Sequence, residues 1–423
     1  MERIKISSSN LVKRERYLKT LTAYLGKPLI KVILGMRRTG KSSIIRLLIT
    51  ELLEKGVPEK NILYINKESL EFEEILTYRD LYNYVVKNFK NVGGQRFIFI
   101  DEVQEINKWE KAVVSFLSEK IGDVVISGSN SRLLSGELAT LLSGRYVEIP
   151  IYPLTFSEFL EFRKKFGGRK KLDVEECFKD FLKYGGLPGI HYLPFNDEIV
   201  FQYLNSILNT ILYKDIITRF KIRDTALFDK IVRYLFDNIG NITTAKRIAD
   251  YFKSQKISVA VDTVLNYIKA IETAFLIKRV YKYDIKGKRH LEFYEKVYLT
   301  DVGLRNGLIG YREKDINGIL ENIVYNELVT RGYKVYVGKL NRLEIDFVAE
   351  KQGEIKYIQV CYLLAEESTI KREFGNLQKI RDNYEKLVIS LDKFFVKELE
   401  GIKHIYLLDF LLSSQRHFRE LKN

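Results

Sequence analysis

An eight-residue glycine-rich segment constrains the fold of this chain more than any other feature. It runs from Gly35 to Ser42, reads GMRRTGKS, and matches G-x-x-x-x-G-K-[ST] in full. An apolar run at residues 29–34 precedes it, and a helical pattern that ends at Gly56 follows it. A chance glycine turn before a helix is the alternative interpretation. Strand, loop and helix together predict a phosphate-binding loop at the edge of a parallel sheet.

Each position of this loop has a chemical reason. Glycines let backbone N–H groups surround phosphate oxygens, and the start of a helix adds the positive end of its dipole. We expect Lys41 to reach the β and γ phosphate oxygens of ATP and Ser42 to bind Mg²⁺. The predicted nucleotide contacts are Gly35, Met36, Arg37, Arg38, Thr39, Gly40, Lys41, Ser42 and Ser43.

A second buried-strand pattern, FIFIDE at 97–102, ends in two carboxylates. We expect Asp101 to hold Mg²⁺ through water and Glu102 to polarise the attacking water as a general base. Many strands end in acidic residues, so this pattern is weak alone. It gains weight because it follows a complete phosphate-binding loop by about 60 residues.

Polar residues follow a third predicted strand at 124–126. Ser129 or Asn130 could orient water near the γ-phosphate, or could cap the next helix. Arg145 lies between a helical stretch and another strand pattern. It could be an arginine finger acting across a subunit interface, or a basic residue that complements a helix dipole.

Composition sets the broad class. With 423 residues the chain is too long for one compact hydrophobic core, so we expect more than one domain. The share of hydrophobic residues, 46%, excludes a mainly disordered protein. No apolar run is long enough for a transmembrane helix, so we expect a soluble, cytoplasmic protein without membrane contact. Cys177 and Cys361 are too few for a disulfide framework or a four-ligand zinc site. The Tyr, Ile and Lys usage resembles that of thermophile proteins.

Five segments, in this order, resemble archaeal and bacterial ATPases of the AAA+ superfamily: GMRRTGKSS, FIFIDEVQ, ISGSNSRLLS, LLSGRYVEIPIYPLTFSEFL and YGGLPG. The resemblance implies an N-terminal ATPase, a winged helix and a C-terminal domain like restriction endonucleases (PD-(D/E)XK-like). It implies sensor 1 at Asn130 or Ser129, and a finger at Arg145. Gly186-Leu187-Pro188 resembles the G-x-P of related switch ATPases, which would place Pro188 near the adenine.

We therefore expect an α/β protein with a P-loop parallel-sheet ATPase core. The predicted domains are the core at 1–155, a helical lid at 156–222, a winged helix-turn-helix at 223–312 and a nuclease-like α/β domain at 313–423.

The middle segment carries much of the formal charge of +15. Residues 223–312 hold 17 basic and 10 acidic residues, whereas 313–423 hold 18 of each. Three predicted helices, the first at 225–239 and the second capped by Thr243-Thr244, precede a predicted hairpin, the order of a winged helix. The hairpin could bind DNA phosphates, or the winged helix could serve protein contacts. The candidate DNA contacts are Lys278, Arg279, Lys282, Lys286, Lys288 and Arg289.

The last segment shows a weaker nuclease-like pattern. Glu321 lies on a predicted helix and Asp346 on a strand, but Gln359-Val-Cys361 stands where Glu-x-Lys would. Cys361 cannot replace the lysine cation that positions water in metal-dependent cleavage. The sequence therefore predicts a degenerate site.

The leading hypothesis is Mg²⁺-dependent ATP binding and hydrolysis, coupled to DNA through the winged helix. The alternative is a slow ATP-gated switch or scaffold, and a third reading is a Mg²⁺ nuclease. A finger acting in trans would require a homo-oligomer.

Overall fold

The protein divides into two compact units. The computed structural model describes residues 11–129, 142, 144–167 and 172–420, of which residues 292–295 and 414–420 are described by their backbone alone. One unit comprises Met1–Tyr152 with Thr273–Phe275, and the other comprises Pro153–Glu272 with Leu276–Asn423.

The first unit is a five-stranded parallel sheet with helices. The strands are β1 (Ile30–Leu34), β2 (Ile62–Asn66), β3 (Phe97–Asp101), β4 (Asp123–Gly128) and β5 (Tyr146–Pro150), and the described helices are α1 (Glu15–Tyr24), α2 (Lys41–Glu54), α3 (Tyr78–Asn88) and α4 (Trp109–Ser118). The strand order is β2-β3-β4-β1-β5, so β1 lies between β4 and β5, and β4 separates it from β3.

The central strands are buried because helices cover them. All five residues of β1 and of β3 are buried, as their apolar runs predict. Ile33 of β1, Leu48 of α2 and Phe99 of β3 share one hydrophobic core. This core holds the ends of β1 and β3 in place, and the predicted phosphate loop and acidic pair follow directly from those ends.

The second unit begins with helices. A capping box joins Thr155 and Glu158 at the start of the first of them. Thr244 caps the helix that was expected to begin after it, by accepting the N–H of Arg247. The helices are α5 (Phe156–Phe166), α6 (Val174–Tyr184), α7 (Asp197–Thr210) with a π-helical extension (Ile211–Thr218), α8 (Thr225–Asp237), α9 (Ala245–Ser254) and α10 (Val261–Thr273).

An eight-stranded mixed sheet forms the rest of this unit. The strands are β6 (Ile277–Asp284), β7 (Arg289–Leu299), β8 (Lys334–Leu340), β9 (Leu343–Lys351), β10 (Glu354–Val360), β11 (Glu385–Ser390), β12 (Glu398–Leu399) and β13 (Ile402–Tyr406). Their order in the sheet is β12-β13-β11-β10-β9-β8-β6-β7. The helices here are α11 (Val302–Ile309), α12 (Ile316–Thr330), α13 (Glu367–Gln378) and α14 (Leu407–Glu420).

The expected wing hairpin is part of this sheet. Strands β6 and β7 pair antiparallel, as a hairpin, and β6 also pairs in parallel with β8 over Lys282–Asp284. Hydrogen bonding in the sheet therefore continues across the predicted domain boundary between residues 312 and 313. The hairpin is not a free-standing wing.

Two further features bear on the class of protein. No helix in the described part of the chain has the length and apolar character needed to cross a membrane. Cys177 and Cys361 are both buried and free, so neither forms a disulfide.

Candidate functional site

The glycine-rich loop joins β1 to α2, and two of its glycines have a structural reason. Gly35 has a φ of 153°, and a Cβ there would lie 2.2 Å from the carbonyl oxygen of Ile151. Gly40 has a φ of 96° directly before the first residue of α2. Side chains are disfavoured at both positions, so the backbone can turn tightly and present its N–H groups at the helix start.

Lys41 is the first residue of α2, and its side chain folds back over the loop. It is buried, and its Nζ donates to the carbonyl oxygens of Gly35 and Met36, each at 3.2 Å. The same Nζ lies 3.6 Å from Oε1 of Glu102. The lysine expected to bind phosphate is therefore paired with the carboxylate expected to act as general base.

Glu102 holds an unusual backbone conformation at the end of β3. Its φ of 56° lies in the left-handed region, which is rare for a residue with a side chain. Its Oε2 accepts hydrogen bonds from Ser129 Oγ at 3.1 Å and from the Gln104 amide. Burial acts to raise the pKa of this carboxyl, but Lys41 and these donors outweigh it and hold the pKa below its usual value.

Asp101 is bound by hydroxyl groups from both neighbouring strands. Ser127 of β4 donates to Oδ1, and Tyr64 of β2 donates to Oδ2 at 3.2 Å. Ser127 Oγ also accepts the backbone N–H of Glu102 at 3.1 Å. One buried hydroxyl thus contacts both acidic residues. Sequence reasoning missed Ser127 and Tyr64, because only the strand order places them beside Asp101.

The other loop residues differ in exposure. Arg37 is buried and its Nη1 lies 3.2 Å from Oε1 of Glu68, while Arg38 is exposed with a φ of 67°. Thr39 is buried and donates its hydroxyl to the Met36 carbonyl at 2.9 Å. Ser42 is half-buried at the start of α2, and Ser43 is exposed.

Arg14, just before α1, supports the loop from outside the motif. It is buried, and its Nη1 donates to the carbonyls of Thr39 at 3.1 Å and Tyr152 at 3.0 Å. Its guanidinium also lies 4.6 Å from the ring centre of Tyr17. The sequence carried no recognised signal for this contact, since Arg14 lies 25 residues before Thr39.

Three further residues were predicted to contact the nucleotide or to act on it: Asn130, Arg145 and Pro188. Asn130 lies outside the described residues. Arg145 is exposed and precedes β5, and its carbonyl accepts the N–H of Ile30. Pro188 belongs to the second unit, where it begins a short 3₁₀ helix at Pro188–Tyr192. Its expected place near the adenine stays a prediction.

The glycines before Pro188 contact a buried carboxylate. The Gly186 N–H donates to Asp301 Oδ2 at 2.8 Å, and a Cβ on Gly185 would lie 2.3 Å from Oδ1 of Asp301. Burial raises the pKa of Asp301 to about 6, although backbone N–H donors oppose it. Close packing within the second unit therefore accounts for the paired glycines of YGGLPG.

The hairpin cations are not equivalent. Arg279 forms an ion pair with Glu272 at 2.7 Å. Arg289 lies 3.6 Å from Asp284, and its side chain is largely exposed. Lys278 and Lys282 are half-buried, whereas Lys286 and Lys288 at the turn are exposed. The turn therefore presents the accessible positive charge of this hairpin.

A lysine does stand among the acids of the nuclease-like pattern. Lys296 of β7 lies 2.6 Å from Glu321 and 3.5 Å from Asp346. This positive charge among the acids comes from another strand, which the sequence spacing did not indicate. Both polar atoms of the Gln359 side chain are hydrogen-bonded. Its Oε1 accepts the Asp346 N–H at 2.7 Å, and its Nε2 donates to Glu373 at 2.9 Å.

The first unit has a parallel-strand sheet core of the kind that is typical of P-loop ATPases. A family model described as an AAA domain matches residues 27–160, and one described as a domain of unknown function matches residues 175–315. The Walker-type ATPase of Pyrococcus abyssi has a similar fold, with a TM-score of 0.51 at 15% identity over 70% of this chain and 95% of that one.

The chain belongs to a family with an uncharacterised protein of Haemophilus influenzae. The two are 37% identical over 96% of this chain and 100% of the relative. An uncharacterised protein of Methanocaldococcus jannaschii is 30% identical over 83% of this chain and 78% of its own length.

Proposed function

We propose that this protein binds ATP with Mg²⁺ and hydrolyses it. The observation that carries the proposal is the meeting of Lys41, Asp101 and Glu102 at one edge of the sheet. Lys41 starts a helix behind a loop whose glycines disfavour side chains, Asp101 ends the buried strand β3, and Glu102 follows it directly. This combination supplies a cation for phosphate and carboxylates for a metal and for water.

The residues present fit a magnesium ion. The Ser42 hydroxyl and the Asp101 carboxylate are hard oxygen donors of the kind that Mg²⁺ prefers, and Ser127 and Tyr64 fix the carboxylate by hydrogen bonds. When bound, the metal would neutralise charge on the phosphates. Lys41 would bind the phosphate oxygens, and Glu102 would accept a proton from water.

The pairing of Lys41 with Glu102 gives ATP binding a second consequence. Phosphate oxygens compete with Glu102 for the Lys41 ammonium, so a bound nucleotide draws Lys41 away from the carboxylate. The main charge that lowers the pKa of Glu102 then weakens. A higher pKa makes the carboxylate a stronger base, which suits proton abstraction at neutral pH.

A second candidate function is a slow ATP-gated switch. It is favoured by the hydrogen bonds from Ser129 and Gln104 to Glu102, since these also hold the base away from water. The turnover number with and without DNA separates the two functions. A hydrolase coupled to DNA is stimulated by it, whereas a switch that binds partner proteins turns over slowly and is indifferent to DNA.

We extend the proposal to DNA binding through the hairpin of β6 and β7. The support is the exposed charge at its turn, Lys286, Lys288 and Arg289, in a hairpin that follows the three helices α8, α9 and α10 along the chain. Exposed cations on such a turn suit phosphate contacts, which confer affinity without sequence preference. Arg279 contributes less to this expectation, because Glu272 neutralises it.

The experiment is duplex DNA binding over a salt series. The double variant K286E/K288E should lower the affinity and reduce the slope of log K against log salt by about two, one per lost phosphate contact. The matched control K87E/K90E changes two exposed lysines of the first unit. Equal affinity for K286E/K288E and wild type would remove the hairpin from the proposal without touching ATP hydrolysis.

We also propose that Arg145 acts on a nucleotide held by a neighbouring copy. Arg145 is exposed, as action across a subunit interface requires. Mixing R145A with K41A chains tests this. One variant lacks the finger and the other the phosphate lysine, so a mixed oligomer should regain part of the ATPase activity that neither has alone. Activity of R145A alone at the wild-type rate would overturn the assignment.

A further inference from the structure

One lysine of the second unit is almost wholly removed from water. Lys296, on β7, has 2% of its surface exposed. Its ammonium faces three carboxylates from two other elements: Glu321 of α12 at 2.6 Å, Glu344 of β9 at 2.9 Å and Asp346 of β9 at 3.5 Å. A lysine ammonium has three N–H donors, so it can serve one carboxylate with each.

Two of these three carboxylates accept further hydrogen bonds. The Glu321 oxygen that contacts Lys296 also accepts the Tyr298 hydroxyl. The second oxygen of Asp346 accepts the Val360 N–H at 2.9 Å. A magnesium ion needs oxygens at about 2.0–2.1 Å around its own centre. The Lys296 nitrogen stands at the point where these carboxylates converge.

The lysine and the acids depend on one another. Without Lys296, three carboxylates would repel each other in a partly buried site, and without the carboxylates a buried ammonium would be costly. Burial acts to lower the pKa of Lys296, but Glu321, Asp346 and Glu344 outweigh it and raise the pKa above its usual value. In the described part of the chain, no group of three or more acidic, histidine or cysteine residues is arranged to hold a metal ion.

We propose that this carboxylate cluster has a resident cation supplied by the chain itself. The Lys296 ammonium takes the place of a divalent metal and fastens strand β7 to helix α12 and strand β9. The second unit therefore binds no divalent cation at Glu321, Glu344 and Asp346. This inference is independent of the proposed ATPase activity, which uses residues of the first unit.

The first test measures Mn²⁺ binding to the full chain by electron paramagnetic resonance, without nucleotide. Wild type and D346N should bind the same number of Mn²⁺ ions with the same affinity, because Asp346 belongs to no metal site. A bound Mn²⁺ that D346N loses would overturn the proposal. It would instead make the cluster a metal site with Lys296 as its neighbour.

The second test removes the cation. K296M should unfold at a lower temperature than wild type, and 1 mM Mn²⁺ should raise its midpoint by about 3 °C or more while leaving wild type unchanged. K356M, which removes a more exposed lysine of the same sheet, is the control and should show no Mn²⁺ response. A K296M variant as stable as wild type, or without a Mn²⁺ response, would contradict the proposal.

If K296M does not fold, the double variant K296M/E321Q removes one charge of each sign and serves in its place. The wild-type measurement decides in any case, since it needs no change at Lys296.

Discussion

The Lys41 ammonium lies 3.6 Å from the Glu102 carboxylate, inside the phosphate-binding loop. The two side chains therefore form an ion pair in the protein without nucleotide. Arg37 also lowers the pKa of Glu102, so two cations of the loop act on this one acid. A phosphate group that binds Lys41 would compete with Glu102 for the same ammonium, so phosphate binding and release of the carboxylate are expected to go together.

Ser127 should matter to both acidic residues at once. S127A removes the donor to Asp101 and leaves the buried N–H of Glu102 without its acceptor, which costs about 1–3 kcal/mol of unfolding free energy. We expect the turnover number to fall about tenfold or more, with a smaller change in the KM for ATP. S127T, which keeps the hydroxyl, should recover much of the rate. Urea unfolding and steady-state kinetics measure the two effects, and an S127A enzyme with wild-type turnover would refute the positioning role.

Gly35 should tolerate no side chain. In G35A the new Cβ would lie 2.2 Å from the Ile151 carbonyl oxygen, so the loop or β5 must move. We expect loss of measurable ATP binding. G56A is the matched control: Gly56 has a φ of 84° but no atom within 4 Å of an added Cβ, so this change should cost about 1 kcal/mol and leave binding intact. Titration with a fluorescent ATP analogue compares them, and normal binding by G35A would contradict the loop geometry.

His191 should make the protein sensitive to mild acid. Its ring lies 4.6 Å from that of Phe159 and 5.4 Å from that of Phe162, and within the described structure neither ring nitrogen has a hydrogen-bond partner. Burial, with Arg163, lowers the pKa of His191 to about 3. Between about pH 3 and about pH 6.5, His191 binds a proton in the unfolded chain but not in the folded one. The free energy of unfolding that this difference contributes above pH 6.5 is therefore lost as the pH falls.

The variant H191F should therefore resist acid better than wild type. From pH 7.5 to pH 5, wild type should lose about 2 kcal/mol of unfolding free energy relative to H191F. The exposed His290 provides the control variant H290F. Denaturant unfolding at the two pH values checks this, and parallel pH profiles of wild type and H191F would show that His191 does not titrate in the core.

The sequence predicted the ATPase fold well, because local patterns decide it. The apolar run before Gly35 and the FIFID run each form one buried strand of a parallel sheet. The contacts that complete the site come from the order of strands, which is a long-range property. Ser127 and Tyr64 flank Asp101 only because β4 and β2 both pair with β3.

The second unit was harder to predict for the same reason. Its helices and hairpin follow from local periodicity and caps such as Thr244. The parallel pairing of β6 with β8 joins segments about 55 residues apart in the sequence, and no local sequence pattern predicts it. Lys296 of β7, Glu321 of α12 and Asp346 of β9 lie on three separate elements, which only the tertiary structure brings together. A search for Glu-x-Lys spacing on one strand could not find a lysine on another.

The replacement of Glu102 by Gln tests the central claim most directly. E102Q keeps the shape and the hydrogen-bond acceptor but cannot take a proton from water. ATP affinity should stay within about threefold of wild type, while the turnover number falls about 100-fold or more. E105Q, at an exposed glutamate three residues further on, should hydrolyse ATP normally. ATP hydrolysis by E102Q at the wild-type rate would show that Glu102 is not the base.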